Sequence, residues 1–270
     1  MHPVLFRIGS LTLHSYGVLL VAGVLLGLWI ARRRAAATGL DADRVWNLGV
    51  YMVLAGLVGA KLWYVLSDWR YFSANPGQLF SMEMLQAGGV FYGGFVGALI
   101  TAVAYSQWAR LPFLPLADAY MPGVALGHAL GRLGCFFAGC CWGKETEVAW
   151  GVTFTDPAAA QIVGTPLGIR LHPTQLYEAG AEFAVFGILW WLTTRQKFTG
   201  QIFAAFAILY GVVRFTNEFF RGDPGRTMLF DGAASLMQVV SVALIVLGIV
   251  LWLRGARTPA AAPARAKRKA

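Results

Sequence analysis

At 270 residues the chain is 57% hydrophobic and 13% charged, and its mean hydropathy is positive, which excludes a water-soluble globule. A net charge of +9 would suit a nucleic-acid binder. However, thirteen of the 22 basic residues fall in alternate loops and the C-terminal tail, which is the positive-inside distribution of a multi-pass membrane protein and excludes nucleic acid as the expected partner.

Uncharged runs set the architecture. The 24 residues between Arg7 and Arg32, the 26 between Glu83 and Arg110 and the 22 between Asp231 and Arg254 carry no charge, and about 20 apolar residues cross a bilayer. Residues 1–10 read as a short non-cytoplasmic lead. Helix one is expected over Leu11–Ala31, stopped by Arg32, Arg33 and Arg34. The run is too long for a signal h-region and is expected to be retained. Helix two is expected over Val45–Leu66, followed by an interfacial segment, SDWRYFSANPGQLFSMEMLQ, rich in aromatic residues and carrying an Asn-Pro-Gly turn.

Helix three is expected over Gly89–Trp108 and helix four over the stretch GVALGHALGRLGCFFAGCCWG, Gly123–Gly143. Residues 144–171 form a polar insert, an external cap with a strand at WGVTFT. Helix five opens at HPTQLYE and ends near Thr194, helix six covers Gln201–Phe220, and helix seven Ala234–Leu253. The expected fold class is thus an all-α polytopic membrane protein of seven transmembrane helices. It has one embedded domain over 1–254, a small cap at about 144–171, and a basic cytoplasmic tail over 255–270. The N-terminus is outside and the C-terminus inside.

The polar residues within these helices gather at one depth. Tyr16, Lys61, Tyr92, Arg132, His172, Gln175, Tyr177, Glu178, Tyr210, Arg214, Glu218 and Arg221 all sit toward the outer half. A channel or carrier needs polar groups near the midplane or through its full depth, whereas a site in one leaflet suits an enzyme acting on a lipid headgroup. On helix four, His128, Arg132 and Cys135 recur at spacings of four and three and share a face. On helix six, Tyr210, Arg214, Asn217, Glu218 and Arg221 share another. Arg214 and Glu218 are placed to pair, leaving Arg221 or Arg132 less neutralised, and guanidinium groups bind phosphate bidentately. Glu178 and Glu182 repeat at i, i+4, with Lys61 as the expected counter-charge, Glu182 structural and Glu178 open. The three cysteines, Cys135, Cys140 and Cys141, contain no CxxC spacing and argue against a structural zinc site. Inert buried thiols are expected, a Cys135–Cys140 bridge being the alternative. No metal and no cofactor is expected.

Five motifs in order, LHSYG, GGVFYGG, GRLGCFFAGCCWG, HPTQLYE and YGVVRFTNEFFR, make the chain resemble the bacterial prolipoprotein diacylglyceryl transferases nearly end to end. That resemblance implies a bacterial inner-membrane enzyme. It transfers the diacylglyceryl group of phosphatidylglycerol to the lipobox cysteine thiol of preprolipoproteins, with release of glycerol 1-phosphate. It also implies that Arg132 holds the headgroup, that Arg214 is the second essential arginine, and that Tyr16, Gly143, Tyr210 and Glu218 occupy further positions on which the family depends. Arg221, Tyr92, His172, Gln175 and Tyr177 complete the expected substrate contacts. The chain departs from the family at Tyr92, Cys135 and Cys140, where histidine, asparagine and glutamate are usual. His128, one turn before Arg132, is the candidate for the missing imidazole base. The alternatives are a paralogue passing a phospholipid-derived group to another acceptor and a non-catalytic phospholipid-binding protein.

Overall fold

A computed structural model describes residues 2–8, 11–81, 84 and 89–257. The expected basic tail beyond residue 257 and part of the interfacial segment (82–83 and 85–88) lie outside the described residues. The chain is mostly helical. Among the described residues seven helices have 18 residues or more. Three of them, Ser15–Thr38, Ala42–Ser67 and Leu236–Arg257, are long and apolar enough by length and composition to cross a membrane. Glycines and polar side chains dilute the hydropathy of the other four. Large apolar side chains stand exposed along the helices, among them Leu57, Ile100 and Trp191, a surface that suits lipid rather than water.

The helices fall into two compact units, one running to Arg34 and resuming at Ala117, the other spanning Ala35–Leu116. In the first unit, β1 (Val4–Ile8) pairs antiparallel with β2 (Leu11–His14), and α1 (Ser15–Thr38) follows. Helix one therefore starts four residues later than expected. The alternating Leu-Thr-Leu-His has a period of two and finds a strand partner in Val-Leu-Phe-Arg-Ile.

In the second unit, α2 (Ala42–Ser67) is capped by Asp41, which accepts from the backbone N–H groups of Asp43 (3.1 Å) and Arg44 (3.0 Å). A short α3 (Trp69–Ala74) and a 3-10 turn at Pro76–Phe80 precede α4 (Phe91–Trp108). Gly59 and Gly93 face each other across α2 and α4, with Gly97 against Ala55, so these backbones approach as only small residues allow.

In the first unit again, α5 (Phe113–Ala138) begins ten residues before the expected start of helix four and passes through Pro122. It ends at Gly139, which adopts a left-handed φ of 84°, so Cys140, Cys141 and Gly143 lie beyond the helix rather than on it. Gly123 and Gly127 of α5 meet Gly27 and Gly23 of α1 in antiparallel register, and a Cβ built on Gly27 would lie 2.9 Å from the Gly123 carbonyl oxygen. Residues 144–171 contain β3 (Val152–Thr153), which pairs with β4 (Arg170–Leu171), and between them α6 (Pro157–Val163), capped by Asp156. The strand expected in WGVTFT is reduced to its two central residues.

Three further helices complete the unit: α7 (Thr174–Thr193), α8 (Gln201–Glu218) and, after a small β5–β6 hairpin (Met228–Leu229 with Ala234–Ser235), α9 (Leu236–Arg257). Ala125 of α5 packs in the buried core with Val185 and Leu189 of α7 and Ile202 and Ala205 of α8, and Trp252 of α9 flanks them. At one end of this core the buried Asp118 carboxylate accepts from Gln196 Nε2 (2.6 Å) and from the backbone N–H groups of Gly200 (2.6 Å) and Phe203 (2.9 Å). It thereby satisfies orphan amides at the start of α8.

Gly27→Leu is expected to force α1 off α5 and lower stability by about 1–3 kcal/mol, read as a lower unfolding temperature in detergent. Gly187→Leu on α7, where no atom lies within 4 Å of an added Cβ, is expected to leave it unchanged or raised.

Candidate active site

Arg132 stands on the last two turns of α5 and meets Glu178, on the second turn of α7, at 3.0 Å. Glu178 is 1% exposed, and a carboxylate so buried requires partners. Its Oε1 takes Arg132 and lies 3.7 Å from His128 Nε2, while its Oε2 accepts from Asn217 Nδ2 at 2.7 Å. His128 thus lies between two carboxylates, with Nδ1 at 3.5 Å from Glu182 Oε1. The expected pairing of these glutamates with Lys61 is replaced by Arg132 and His128, and Lys61 Nζ donates to the Met84 carbonyl in its own unit at 2.6 Å.

On α8, Arg214 pairs with Glu218 at 2.6 Å, the i, i+4 partner that the spacing predicts, and the other Glu218 oxygen lies 3.7 Å from Arg226 Nη1. Tyr210, one turn before Arg214, stacks on Phe206 and meets the His128 ring edge-on at 5.5 Å. It lies within electrostatic range of Arg132, Arg214, Glu178 and Glu182. A groove of about 310 Å³ opens between α7 and α8, lined by Tyr177, Glu178, Ala181, Val212, Asn217 and Phe220.

Neither arginine is left uncompensated, and neither is Arg221. Its guanidinium forms a two-point pair with Asp223 at 2.5 and 2.6 Å. Burial alone would lower the Arg221 pKa, but the Asp223 bond, with the Cys141 and Asp223 charges added to it, holds it above the ordinary value. This corrects the expectation of a less neutralised cation. The Arg-Gly-Asp spacing at 221–223 carried the signal, since the sharp turn after α8 folds residue i+2 back onto residue i.

Gly143 is a backbone crossing. Its N–H donates to the His172 carbonyl at 3.1 Å, and it bridges Arg221 in antiparallel fashion. A Cβ there would lie 2.5 Å from the His172 oxygen and 2.8 Å from the Phe220 oxygen, so only glycine lets the three segments meet. The buried Gln175 side chain donates to the Cys140 carbonyl, and the Thr174 hydroxyl to the Cys141 carbonyl, both at 2.7 Å. The HPTQ motif thus ties α7 to the end of α5. The Tyr177 hydroxyl accepts from Trp150 Nε1 at 2.7 Å and lies 3.1 Å from His172 Nδ1. Trp150, Asp223 and Arg226 are partners that the spacing of charged residues did not single out for the site, whereas Asn217 was placed by spacing on the shared face of helix six.

Tyr16, on the first turn of α1, packs against Gly134 and lies within electrostatic range of Arg132 and the three cysteines. Tyr92 belongs to the second unit, exposed on the first turn of α4. The first unit therefore gathers Tyr16, His128, Arg132, Gly143, His172, Gln175, Tyr177, Tyr210, Arg214, Glu218 and Arg221 toward the C-terminal halves of α5 and α8 and the N-terminal end of α7. The Cys141 thiol is pushed down from its ordinary pKa by hydrogen bonds with Cys135 and Cys140, and then by the Arg221 and Arg132 guanidiniums.

Chemically, the arrangement offers two largely enclosed guanidiniums for an anion, a tyrosine within electrostatic range of both and an imidazole held between carboxylates. Arg132 Nε is buried with no hydrogen-bond partner among the described residues, a donor available to a further acceptor.

Comparison with known proteins matches residues 3–254 to the family described as prolipoprotein diacylglyceryl transferase. The chain is 33% identical over 252 residues to the phosphatidylglycerol–prolipoprotein diacylglyceryl transferase of Clostridium tetani, covering 93% of this chain and 97% of that one. It is 34% identical over 262 residues to the protein of the same name from Bordetella parapertussis, covering 95% and 96%. It is 36% identical over 256 residues to that of Nitratidesulfovibrio vulgaris strain DP4, covering 93% and 92%.

Glu178→Gln is expected to strand Arg132 beside a neutral amide and to cost on the order of 3 kcal/mol of stability. Glu182→Gln, whose carboxylate meets only the His128 ring among the described residues, is expected to cost less than half of that. Denaturant or thermal unfolding of the two variants side by side checks the order.

Proposed function

The chain belongs to the prolipoprotein diacylglyceryl transferase family, and from that premise we propose that it transfers the diacylglyceryl group of phosphatidylglycerol to the lipobox cysteine thiol of preprolipoproteins, releasing glycerol 1-phosphate. The observation that carries this reading is the pair of arginines, the half-buried Arg132 and the buried Arg214, each held by one carboxylate and both within electrostatic range of Tyr210.

The reaction makes a carbon–sulfur bond at the glycerol C3 of the lipid and breaks the bond from that carbon to a phosphate oxygen, which leaves with the electron pair. Negative charge grows on the leaving phosphate. Fixed cations in a water-poor site stabilise that charge without reorganising. Glu178 and Glu218 hold the two guanidiniums in place, and the Arg132 Nε–H is the first free donor for a phosphate oxygen. Arg221, Tyr16 and Tyr210 lie close enough to add donors, while His172, Gln175, Tyr177 and Gly143 shape the rim. Glu218 counts as catalytic through the arginine it positions.

The attacking thiol must lose its proton, because the thiolate is the nucleophile. His128 takes that role in this reading. Its ring is held between Glu178 and Glu182, which fixes its orientation for proton transfer. No metal or cofactor is needed for this step. The seven long helices span the bacterial cytoplasmic membrane with the N-terminus outside, the segment 144–171 as the external cap and the C-terminus inside, which brings the site to the non-cytoplasmic leaflet.

The departures at Tyr92, Cys135 and Cys140 favour, as a second reading, a paralogue with a different acceptor. Incubation with labelled phosphatidylglycerol and a lipobox peptide separates them, since only the first reading yields the thioether and glycerol 1-phosphate. Arg132→Lys and Arg214→Lys are each expected to lower transfer about a hundredfold. Transfer near the wild-type rate in either variant would remove the phosphate-clamp role. His128→Gln is expected to slow transfer about a hundredfold, and transfer at the wild-type rate excludes the histidine.

A further inference from the structure

Three thiols that are five and six residues apart converge where α5 ends. In an uninterrupted helix Cys135 and Cys140 would point about 140° apart around the axis. Here the chain turns at Gly139, Cys141 adopts a left-handed φ of 60° that non-glycine residues seldom take, and the three Sγ atoms lie within 4.8 Å of one another. No two of them are bridged. The turn is fixed from outside, because Gln175 and Thr174 of α7 hold the carbonyls of Cys140 and Cys141. A backbone cost accepted at such a place, and held by two buried side-chain bonds, marks an arrangement that the surrounding structure over-determines.

We propose that Cys135, Cys140 and Cys141 form a three-thiolate site for a soft monovalent cation, copper(I). Thiolates select soft ions. With metal–sulfur bonds of about 2.3 Å, three sulfurs in a plane around an ion stand about 4.0 Å apart, within reach of the observed separation by rotamer adjustment alone. Copper(I) is completed by three sulfurs, whereas zinc(II) takes four ligands in structural sites, and among the described residues no histidine or carboxylate joins this cluster. Three thiolates and one monovalent cation carry a net charge of −2. Arg132, one turn before Cys135, and Arg221 both lie within electrostatic range of Cys141, so two cations adjoin the cluster although each already has a carboxylate partner. Tyr16 borders the same cluster. The site goes beyond the transfer reaction and does not rest on it.

The purified protein in detergent, reduced and under anaerobic conditions, is titrated with copper(I) against a competing chelator, with zinc(II) in a parallel arm. The expected result is one copper(I) per chain, bound at least about a hundredfold more tightly than by the Cys135→Ser/Cys140→Ser/Cys141→Ser variant. X-ray absorption of the wild-type complex is expected to give a shell of three sulfurs, a measurement that does not depend on the variant's folding. Absence of stoichiometric copper(I), a shell of fewer than three sulfurs, or zinc(II) held more tightly than copper(I) would each overturn the assignment. Transfer activity enters neither readout, so failure of the transfer reading leaves this result unaffected.

Discussion

The Glu178 carboxylate is the point through which the first unit is organised. A buried anion is tolerated only where cations and donors are brought to it. Glu178 draws Arg132 and His128 from α5 and Asn217 from α8 onto one residue of α7. Three helices are thereby fixed in rotation as well as in distance, because each partner reaches the carboxylate from only one face of its helix. The aliphatic core below supplies most of the burial but is far less particular about angle. The polar cluster supplies the angular precision.

That division explains what could be read from the sequence. Long uncharged runs located the helices because hydropathy is additive and local. The Arg214–Glu218 pair followed from a spacing of four. Partners separated in sequence were another matter. Nothing local to Glu178 distinguishes Arg132 from Lys61 as its counter-charge, since that choice depends on which helices are neighbours. The hairpin before α1 was missed because an alternating apolar segment of four residues next to a helix reads equally well as the helix's first turn. The helix-four boundary was misplaced at both ends. Pro122 is accommodated within α5, and Gly139 ends it while the apolar character continues through Cys140, Cys141 and Trp142.

Among the candidate site residues, the same contrast holds between side chains that act and side chains that build. Gly143 and Gln175 stood out by motif alone, and their structural work is on the backbone. One allows three segments to cross, and the other anchors the turn after α5. The cysteines were judged by sequence spacing, which assumes a regular path. A single left-handed glycine invalidates that assumption by folding residues 140 and 141 back toward residue 135.

The Asp118 cluster, at the opposite end of α5 from the arginines, carries a further consequence. By holding Gln196, Gly200 and Phe203, it sets the angular phase with which α8 begins, and each residue of a helix advances that phase by about 100°. Adding or deleting one residue between Gly200 and Arg214 would swing Arg214 and Glu218 to a different side of α8 while altering neither side chain. Variation in chain length is therefore expected to concentrate in the insert at 144–171 and the termini, and to be purged from this stretch as strictly as substitutions of the arginine itself.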